Sequence, residues 1–338
     1  MKNILILILL FSLGYAQKES LSLDDCIQIA LTNKEALKAS ALDLESSRQS
    51  VKGSYSNILP SLILSGSLSE SSFPQQEGGY NPTTGEITLG SISNLKSSSA
   101  GISLSQNIYD GGRWWNNIAQ SKNNYKITEQ YNRQVKTNII REVHRNYFNY
   151  LKSLQLLDVS QSNLNSSQQQ LALTKQRFDL GSARKTDLLK AEVRYGQARV
   201  DVVNNEAVLN NAFLSLKNAM GIVRTSRDFI VNDDVFFLDT IPDFENAFES
   251  IQKYNPSVLA KKNQITNAEF NEKLAKGSRL PNISATASYS GNSEDFQSLS
   301  DEWDQNWRMN TNLSFSVPIY TGNTLSTTIQ QAKLNVRK

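Results

Sequence analysis

Histidine and cysteine are almost missing from this sequence: 338 residues contain one of each. A single thiol, Cys26, cannot close an internal disulfide. It lies inside a helical pattern, with no apolar-small stretch before it to mark a lipid-attachment site, and it reads as a buried structural thiol. The single imidazole, His144, excludes histidine triads and histidine-based metal clusters. It stands among Arg141, Arg145 and Tyr147, where a surface or interhelical role is the default. An excess of charge is missing too. Lys and Arg number 35 against 32 Asp and Glu, a net charge of +3 with the signs interspersed, so there is no basic face to hold nucleic acid. Carboxylates, Asp233 and Asp234 among them, read as solvated surface groups and not as an acid–base pair. Gly111-Gly112 lacks the spacing of a phosphate loop. No catalytic residue, metal ligand or cofactor site is expected, and an enzyme is the weakest reading.

Long apolar runs are also lacking. A spanning helix needs about 20 apolar residues, and no stretch comes near that length, which excludes a helical membrane protein. The longest run is N-terminal. Lys2 precedes the apolar segment Ile4 to Leu13, and Gly14-Tyr15-Ala16 closes with the small-x-small pattern that a signal peptidase cuts. Residues 1–16 are expected to be a secretory signal, with the mature chain starting near Gln17 outside the cytoplasm. Hydrophobic residues make up only 39% of the sequence, and Ser, Asn and Gln are abundant, which argues against one compact globule.

What is present is a repeated order of signals. Asn33-Lys34-Glu35-Ala36-Leu37 lies in a helical segment that ends at Leu59-Pro60; alternating strands follow and reach Ile108-Tyr109-Asp110-Gly111-Gly112. Later, Asn255-Pro256-Ser257-Val258-Leu259 leads to Leu280-Pro281, alternating strands, and Ile319-Tyr320-Thr321-Gly322-Asn323. Residues 17–221 read as a first repeat and 244–338 as a second. Between them, 222–243 forms a mixed segment, with Pro242 and several acids, placed at mid-height.

Each repeat carries two strands of period two. Leu62, Leu64 and Leu68 alternate with Ser61, Ser65, Ser67 and Ser69; Ala100, Ile102, Leu104 and Ile108 alternate with Ser99, Ser103, Ser105 and Asn107. Ile283, Ala285, Ala287 and Tyr289 alternate with Asn282, Ser284, Thr286 and Ser288. Trp307, Met309, Leu313, Phe315, Val317 and Ile319 alternate with Arg308, Asn310, Asn312, Ser314 and Ser316. Such strands have one apolar and one polar face, and about 10 residues suffice for a tilted strand to cross a bilayer. The polar face is small and uncharged, as a wet lumen permits; a soluble sandwich is the competing account. Four strands cannot close a membrane barrel, which starts at about eight, and open edges are not tolerated in lipid. If these strands cross a membrane, several chains must pool them.

After Gly112 the period changes. Apolar residues recur at three, four or seven positions from Ile118 to Leu157, and Leu157, Leu164, Leu171 and Phe178 then hold a strict seven. With no proline between, residues 113–178 read as one helix of about 65 residues, roughly 95 Å long, which implies coiled-coil packing. Gly181 can end it in the left-handed conformation. Thr186 with Asp187 can restart a helix, by hydroxyl capping and a carboxylate at the positive end of the dipole. The returning helix repeats at seven through Leu188, Tyr195, Val202, Leu209 and Leu216, and Phe244 to Lys276 is helical as well. Trp114, Trp115 and Trp307, with Trp303 as a further candidate, sit where interface anchors at the lipid boundary would sit; packing in an ordinary core is the alternative.

In this order, the motifs resemble the TolC family of outer-membrane efflux proteins. Leu23-Asp24-Asp25-Cys26-Ile27-Gln28-Ile29-Ala30-Leu31 is similar to the family's opening helix. Leu59-Pro60-Ser61-Leu62 and Leu280-Pro281-Asn282-Ile283 resemble its turns from helix into strand. Val317-Pro318-Ile319-Tyr320-Thr321-Gly322 resembles its strand-to-helix exit, with Asn107 standing in the first repeat where that proline would be. The most specific match is Arg177-Phe178-Asp179-Leu180-Gly181 continuing to Thr186-Asp187-Leu188-Leu189-Lys190-Ala191-Glu192, similar to the hairpin at the tunnel's periplasmic tip. The resemblance implies an α+β membrane protein: a homotrimer, four strands per copy making a twelve-stranded barrel in the outer membrane, and a coiled-coil tunnel across the periplasm. It implies a passive conduit in a tripartite efflux or type I secretion system, partnered by a periplasmic adaptor and an inner-membrane pump. Leu180, Gly181 and Ser182 would contact the adaptor. Asp187 would match a gate residue, with a plain helix cap at Thr186 and Asp187 the equal alternative.

A complete protomer of that kind carries a second hairpin after its second exit. This sequence has sixteen residues after Gly322 and so reads as C-terminally truncated, with 323–338 expected to begin a helix whose partner faces are exposed. Two other classes fit part of the pattern. A secreted coiled-coil scaffold or adhesin with soluble strands is the main alternative. A periplasmic adaptor would add lipoyl and barrel modules, and nothing here resembles them.

Overall fold

The computed structural model describes residues 19–73, 83–85, 93–222, 229–231 and 243–338. The expected signal segment and most of the mixed segment, Asp233, Asp234 and Pro242 included, lie outside the described residues. The chain divides into two compact units, one of residues 1–43 and 130–257 and the other of 44–129 and 258–338.

The first unit opens with β1 (Glu19–Leu21) and α1 (Leu23–Asn33). Ser22 caps α1: its Oγ accepts the Asp25 N–H at 3.2 Å, and Asp25 Oδ2 accepts the Ser22 N–H at 3.0 Å. These reciprocal bonds satisfy orphan donors of the first turn. Lys34 is extended, and α2 (Glu35–Ser54) begins directly after it, followed by a 3-10 turn over Tyr55–Asn57. The helical segment expected from Asn33 to Pro60 is thus broken near its start. Within this unit lie the second part of α3 (Arg113–Asp179), all of α4 (Lys185–Ala219), β4 (Phe229–Val231) and α5 (Phe244–Tyr254). β1 and β4 pair in parallel, Leu21 opposite Val231, and cover a core of Cys26, Ala30, Ile139, Val143, Tyr147, Leu151, Leu216 and Met220. Phe213 joins it, its ring 5.0 Å from Phe229 and 5.8 Å from Tyr150.

α3 and α4 match the sequence-based extents to within two residues, but their buried positions add a layer. Leu157, Leu164, Leu171 and Phe178 are half-buried, while Ser160 and Thr174, three residues after a leucine, are buried. On α4, Leu188, Tyr195 and Leu209 are half-buried, and Ala191, Ala198 and Val202 are buried. A heptad that alternates large residues with Ser, Thr and Ala lets helices approach closely at the small positions.

The second unit is built on an antiparallel sheet. β2 (Ser61–Phe73), β3 (Ser93–Tyr109), β5 (Asn282–Ser293) and β6 (Trp307–Ser316) lie in the order β2-β3-β5-β6. β6 stops at Ser316, so Val317 and Ile319 do not extend it as the alternation suggests; Pro318 has no N–H to continue a ladder. β3 has no proline there and runs on to Tyr109, past a bulge between Asn107 and Tyr109. That bulge sets Tyr109 opposite Ile283 and makes Ile108 the extra residue, which corrects the strict alternation.

α6 (Pro256–Gly277) follows α5 after a break at Asn255, whose Oδ1 accepts the Ser257 N–H at 2.9 Å. The helical segment from Phe244 to Lys276 is interrupted there because a residue before proline is driven out of the helical region. Between β5 and β6 lie α7 (Phe296–Asp301) and α8 (Trp303–Asn306). After β6, α9 (Thr324–Arg337) buries Ile329 and Ala332. One face of it is packed while Leu334 is exposed, and Arg279 reaches it through a 2.7 Å bond to Ser326 Oγ. α6 holds α3 by an amide ladder. Gln120 Nε2 donates to Asn271 Oδ1, buried Asn123 donates to Asn263 O and Asn267 Oδ1, each at 2.7 Å, and Asn267 donates to Asn124.

Candidate functional site: two sheet faces and a hairpin tip

The register of the sheet sorts its side chains by chemistry. Leu62 stands opposite Leu104, and Leu104 opposite Ala287; Leu64 stands opposite Ile102, Ile102 opposite Tyr289, and Tyr289 opposite Met309. Directly opposed residues share a face, so leucines, isoleucine, Tyr289 and Met309 form one apolar surface, continued by Leu313 and by Phe315 opposite Ile283. Leu62, Leu64, Leu68, Met309, Leu313 and Phe315 are all exposed. On the other face Ser61 meets Ser105 at 2.6 Å, Ser67 meets Ser99 at 2.8 Å, and Ser97 Oγ donates to Asn292 Oδ1 at 3.0 Å. Ser288 faces Asn310 and Thr286 faces Asn312. Within the described residues the outer strands β2 and β6 each have one paired edge and one unpaired edge.

Aromatic residues gather toward one end of the apolar face. The Trp303 indole N–H donates to Tyr289 Oη at 2.9 Å, and the Trp307 ring lies 5.6 Å from Tyr289. Gly291 makes room for this cluster, because a Cβ there would lie 2.5 Å from the Trp303 ring. The two expected anchors at the start of α3 separate. Trp115 is exposed, whereas Trp114 is buried with its Nε1 unpartnered among the described residues. Of the three expected anchors, Trp114 is buried, and Trp115 and Trp307 are exposed. Just before them, Gly111 and Gly112 both have positive φ. A Cβ on Gly111 would collide with Gly277 O and lie 2.9 Å from Leu280 Cβ, so only glycine allows this approach of exit turn to α6.

At the tip, α3 ends in a left-handed cap. Gly181 has φ +72, its N–H donates to Phe178 O at 2.9 Å, and the Ser182 N–H donates to Arg177 O at 2.8 Å. These two bonds are the Schellman pair that satisfies the last carbonyls of a helix. Ser182 Oγ adds a 2.9 Å bond to the same Arg177 oxygen. Leu180 is left exposed at the turn. α4 starts two residues earlier than a Thr186 cap would place it, with Arg184 in the capping position. Asp187 Oδ2 accepts the Arg184 N–H at 3.3 Å, so the carboxylate, and not the Thr186 hydroxyl, satisfies the first turn. Asp187, Lys190 and Arg194 of α4 line an open polar groove of about 590 Å³ with Ser167, Gln170 and Thr174 of α3. Among the described residues no group of three or more His, Cys, Asp or Glu side chains could hold a metal ion.

Residues 26–222 match the model of the family described as Outer membrane efflux protein. Among curated proteins, the chain is 27% identical over 318 residues to the outer membrane protein TolC of Escherichia coli K12, which covers 91% of this chain and 61% of that protein. It is 27% identical over 273 residues to the outer membrane efflux protein BepC of Brucella suis, covering 77% of this chain and 55% of that protein. The chain thus spans a little over half the length of these relatives. The crystal structure of the CmeC outer membrane channel of Campylobacter jejuni shares the fold, with a TM-score of 0.76 at 19% identity over 93% of this chain and 65% of that one.

Proposed function

The chain belongs to the outer membrane efflux protein family, and from that membership and the sheet's two faces we propose that it forms part of the wall of a passive outer-membrane conduit. Three copies pool their strands into a closed twelve-stranded barrel, apolar face toward lipid and Ser/Thr/Asn face toward water. The helices line a tunnel across the periplasm, and small molecules or proteins pass through without chemical change. The observation that carries this reading is that β2 and β6 each have an unpaired edge among the described residues, on a sheet whose larger apolar residues are exposed. Unpaired backbone is not tolerated in lipid, and only closure removes edges altogether.

A second feature supports association of copies. Along α4, Leu189, Val193, Gly196, Val200, Val203 and Ala207 recur at alternating intervals of four and three and are exposed. This is a coiled-coil seam with no partner among the described residues. The two-repeat organisation is supported by matched breaks and exits: extended Lys34 and Asn255 interrupt the helical segments ahead of each strand pair, and left-handed pairs, Gly111-Gly112 and Gly322-Asn323, follow each pair. Exposed Leu180 with the hydrogen-bonded Gly181-Ser182 turn is suited to contact a periplasmic adaptor that links the conduit to an inner-membrane pump. Asp187 serves as the cap of α4, and its place in the groove with Lys190 and Arg194 suits a role in gating as well.

Fractionating cells that express the full chain and running unboiled gels tests the reading. Recovery in the outer membrane as a heat-modifiable trimer is expected. A soluble monomer extracted without detergent would favour the secreted scaffold and overturn the conduit.

A further inference from the structure

Among the described residues, the polar face of the sheet carries a single ionisable side chain. Arg308 stands opposite Ser290 on β6, in line with Asn310, Asn312, Ser314 and Ser316. Every other polar-face position of the paired register is uncharged: Ser61 to Ser69 on β2, Ser97 to Asn107 on β3, and Ser284 to Asn292 on β5. Glu70 and Lys96 fall on the apolar side and pair with each other at 3.9 Å.

The nearest acids in sequence are Glu294, Asp295, Asp301, Glu302 and Asp304, in the connection between β5 and β6. That connection is folded to the opposite side of the sheet. The Trp303 ring occupies the space into which a Gly291 Cβ would point, and Gly291 shares its face with Tyr289 and Trp307. Asp295 is engaged there as the cap of α7, accepting the Ser298 N–H at 2.7 Å. Arg308 is exposed and has no ion pair among the described residues.

We infer that Arg308 supplies a ring of fixed positive charge inside the barrel that makes this section of the pore prefer anionic solutes, an inference that rests on the three-copy reading above. A guanidinium is a fixed positive charge. Three of them on a wall of hydroxyls and amides meet no opposite charge at the described polar-face positions, and rings of like charge set ion preference in pores. The field should reach across the lumen in dilute salt, where the screening length is about 30 Å at 0.01 M, and fade at 1 M, where it is about 3 Å.

Reversal potentials of the full-chain channel in planar bilayers under potassium chloride gradients test this. In dilute salt, Arg308→Gln is expected to lower the chloride-to-potassium permeability ratio by at least about twofold, Arg308→Glu further, and Arg308→Lys to keep the wild-type value. The differences should vanish near 1 M salt. Channels that conduct with the same ratio in wild type and Arg308→Gln would overturn the inference and leave the conduit standing, as would an equal fall in Arg308→Lys and Arg308→Gln. Failure of the wild-type chain to form trimers or conduct would sink the conduit itself.

Discussion

The hydroxyl oxygens of Ser67 and Ser99 lie 2.8 Å apart across β2 and β3, on the face opposite to the exposed side chain of Leu68. Similar contrasts recur along the sheet, because period-two alternation and the antiparallel register together place like residues beside like. Serines that bond each other leave fewer groups to be solvated, and the leucines behind them are exposed among the described residues.

That difference between faces is measurable. Unfolding the full chain from lipid vesicles with denaturant, Leu313→Arg on the apolar face is expected to cost about 2–4 kcal/mol, the range for a cation facing the bilayer midplane. Asn312→Arg, its neighbour on the polar face, should change stability by no more than about 0.5 kcal/mol. Equal penalties at both positions would contradict the assignment of faces.

Trp114 and Trp115 should respond differently to substitution. Trp114 is buried and its indole N–H has no acceptor among the described residues, so Trp114→Phe removes a donor that makes no bond. Stability by denaturant unfolding should fall by less than about 1.5 kcal/mol for Trp114→Phe, against about 3–5 kcal/mol for Trp114→Ala. Trp115→Ala should scarcely alter the protein in detergent and should weaken its partition into lipid, where an exposed interfacial tryptophan matters.

Cys26 gives a pH signature. Burial, with the Asp25 carboxylate a smaller contribution, pushes its thiol from an ordinary 9.0 up to about 12. Because the folded value is the higher one, the contribution of the neutral thiol to stability is complete below about pH 9 and is lost as pH rises toward 12. Wild type should therefore lose stability faster than Cys26→Ala between those limits, measured as the difference in denaturant midpoint. A thiol reagent at pH 8 should label Cys26 only after unfolding.

Much of this architecture was legible in the residues. The proline-free heptads bounded by Gly112 and Gly181 delimit α3, and the serine alternation locates the four strands. Three features were not legible, each for a physical reason. β1 and β4 are three residues long, too short for any period to show, and they exist because the core of the first unit covers them. The buried layer at Ser160, Thr174, Ala191 and Ala198 is invisible to a search for apolar repeats, since small residues pack by size and not by hydrophobicity. The bulge at Ile108 depends on where β5 lies, which no local pattern records. At the tip, Gly181 followed from its conformational freedom, whereas the start of α4 moved upstream because Asp187 caps by reaching back to Arg184.

Pooling of strands between copies can be tested by cross-linking the two sheet edges. β2 and β6 are three inter-strand spacings apart in one chain, about 14 Å, which is beyond the roughly 7 Å Cα separation a disulfide allows. In a Cys26→Ser background, Ser65→Cys is combined in turn with Asn310→Cys, Asn312→Cys and Ser314→Cys, and membranes are oxidised and run on non-reducing gels. Closure by neighbouring copies predicts covalent dimers and trimers for at least one pair and none for the single substitutions. Monomers alone for all three pairs, from membranes in which the protein is folded, would contradict a shared barrel.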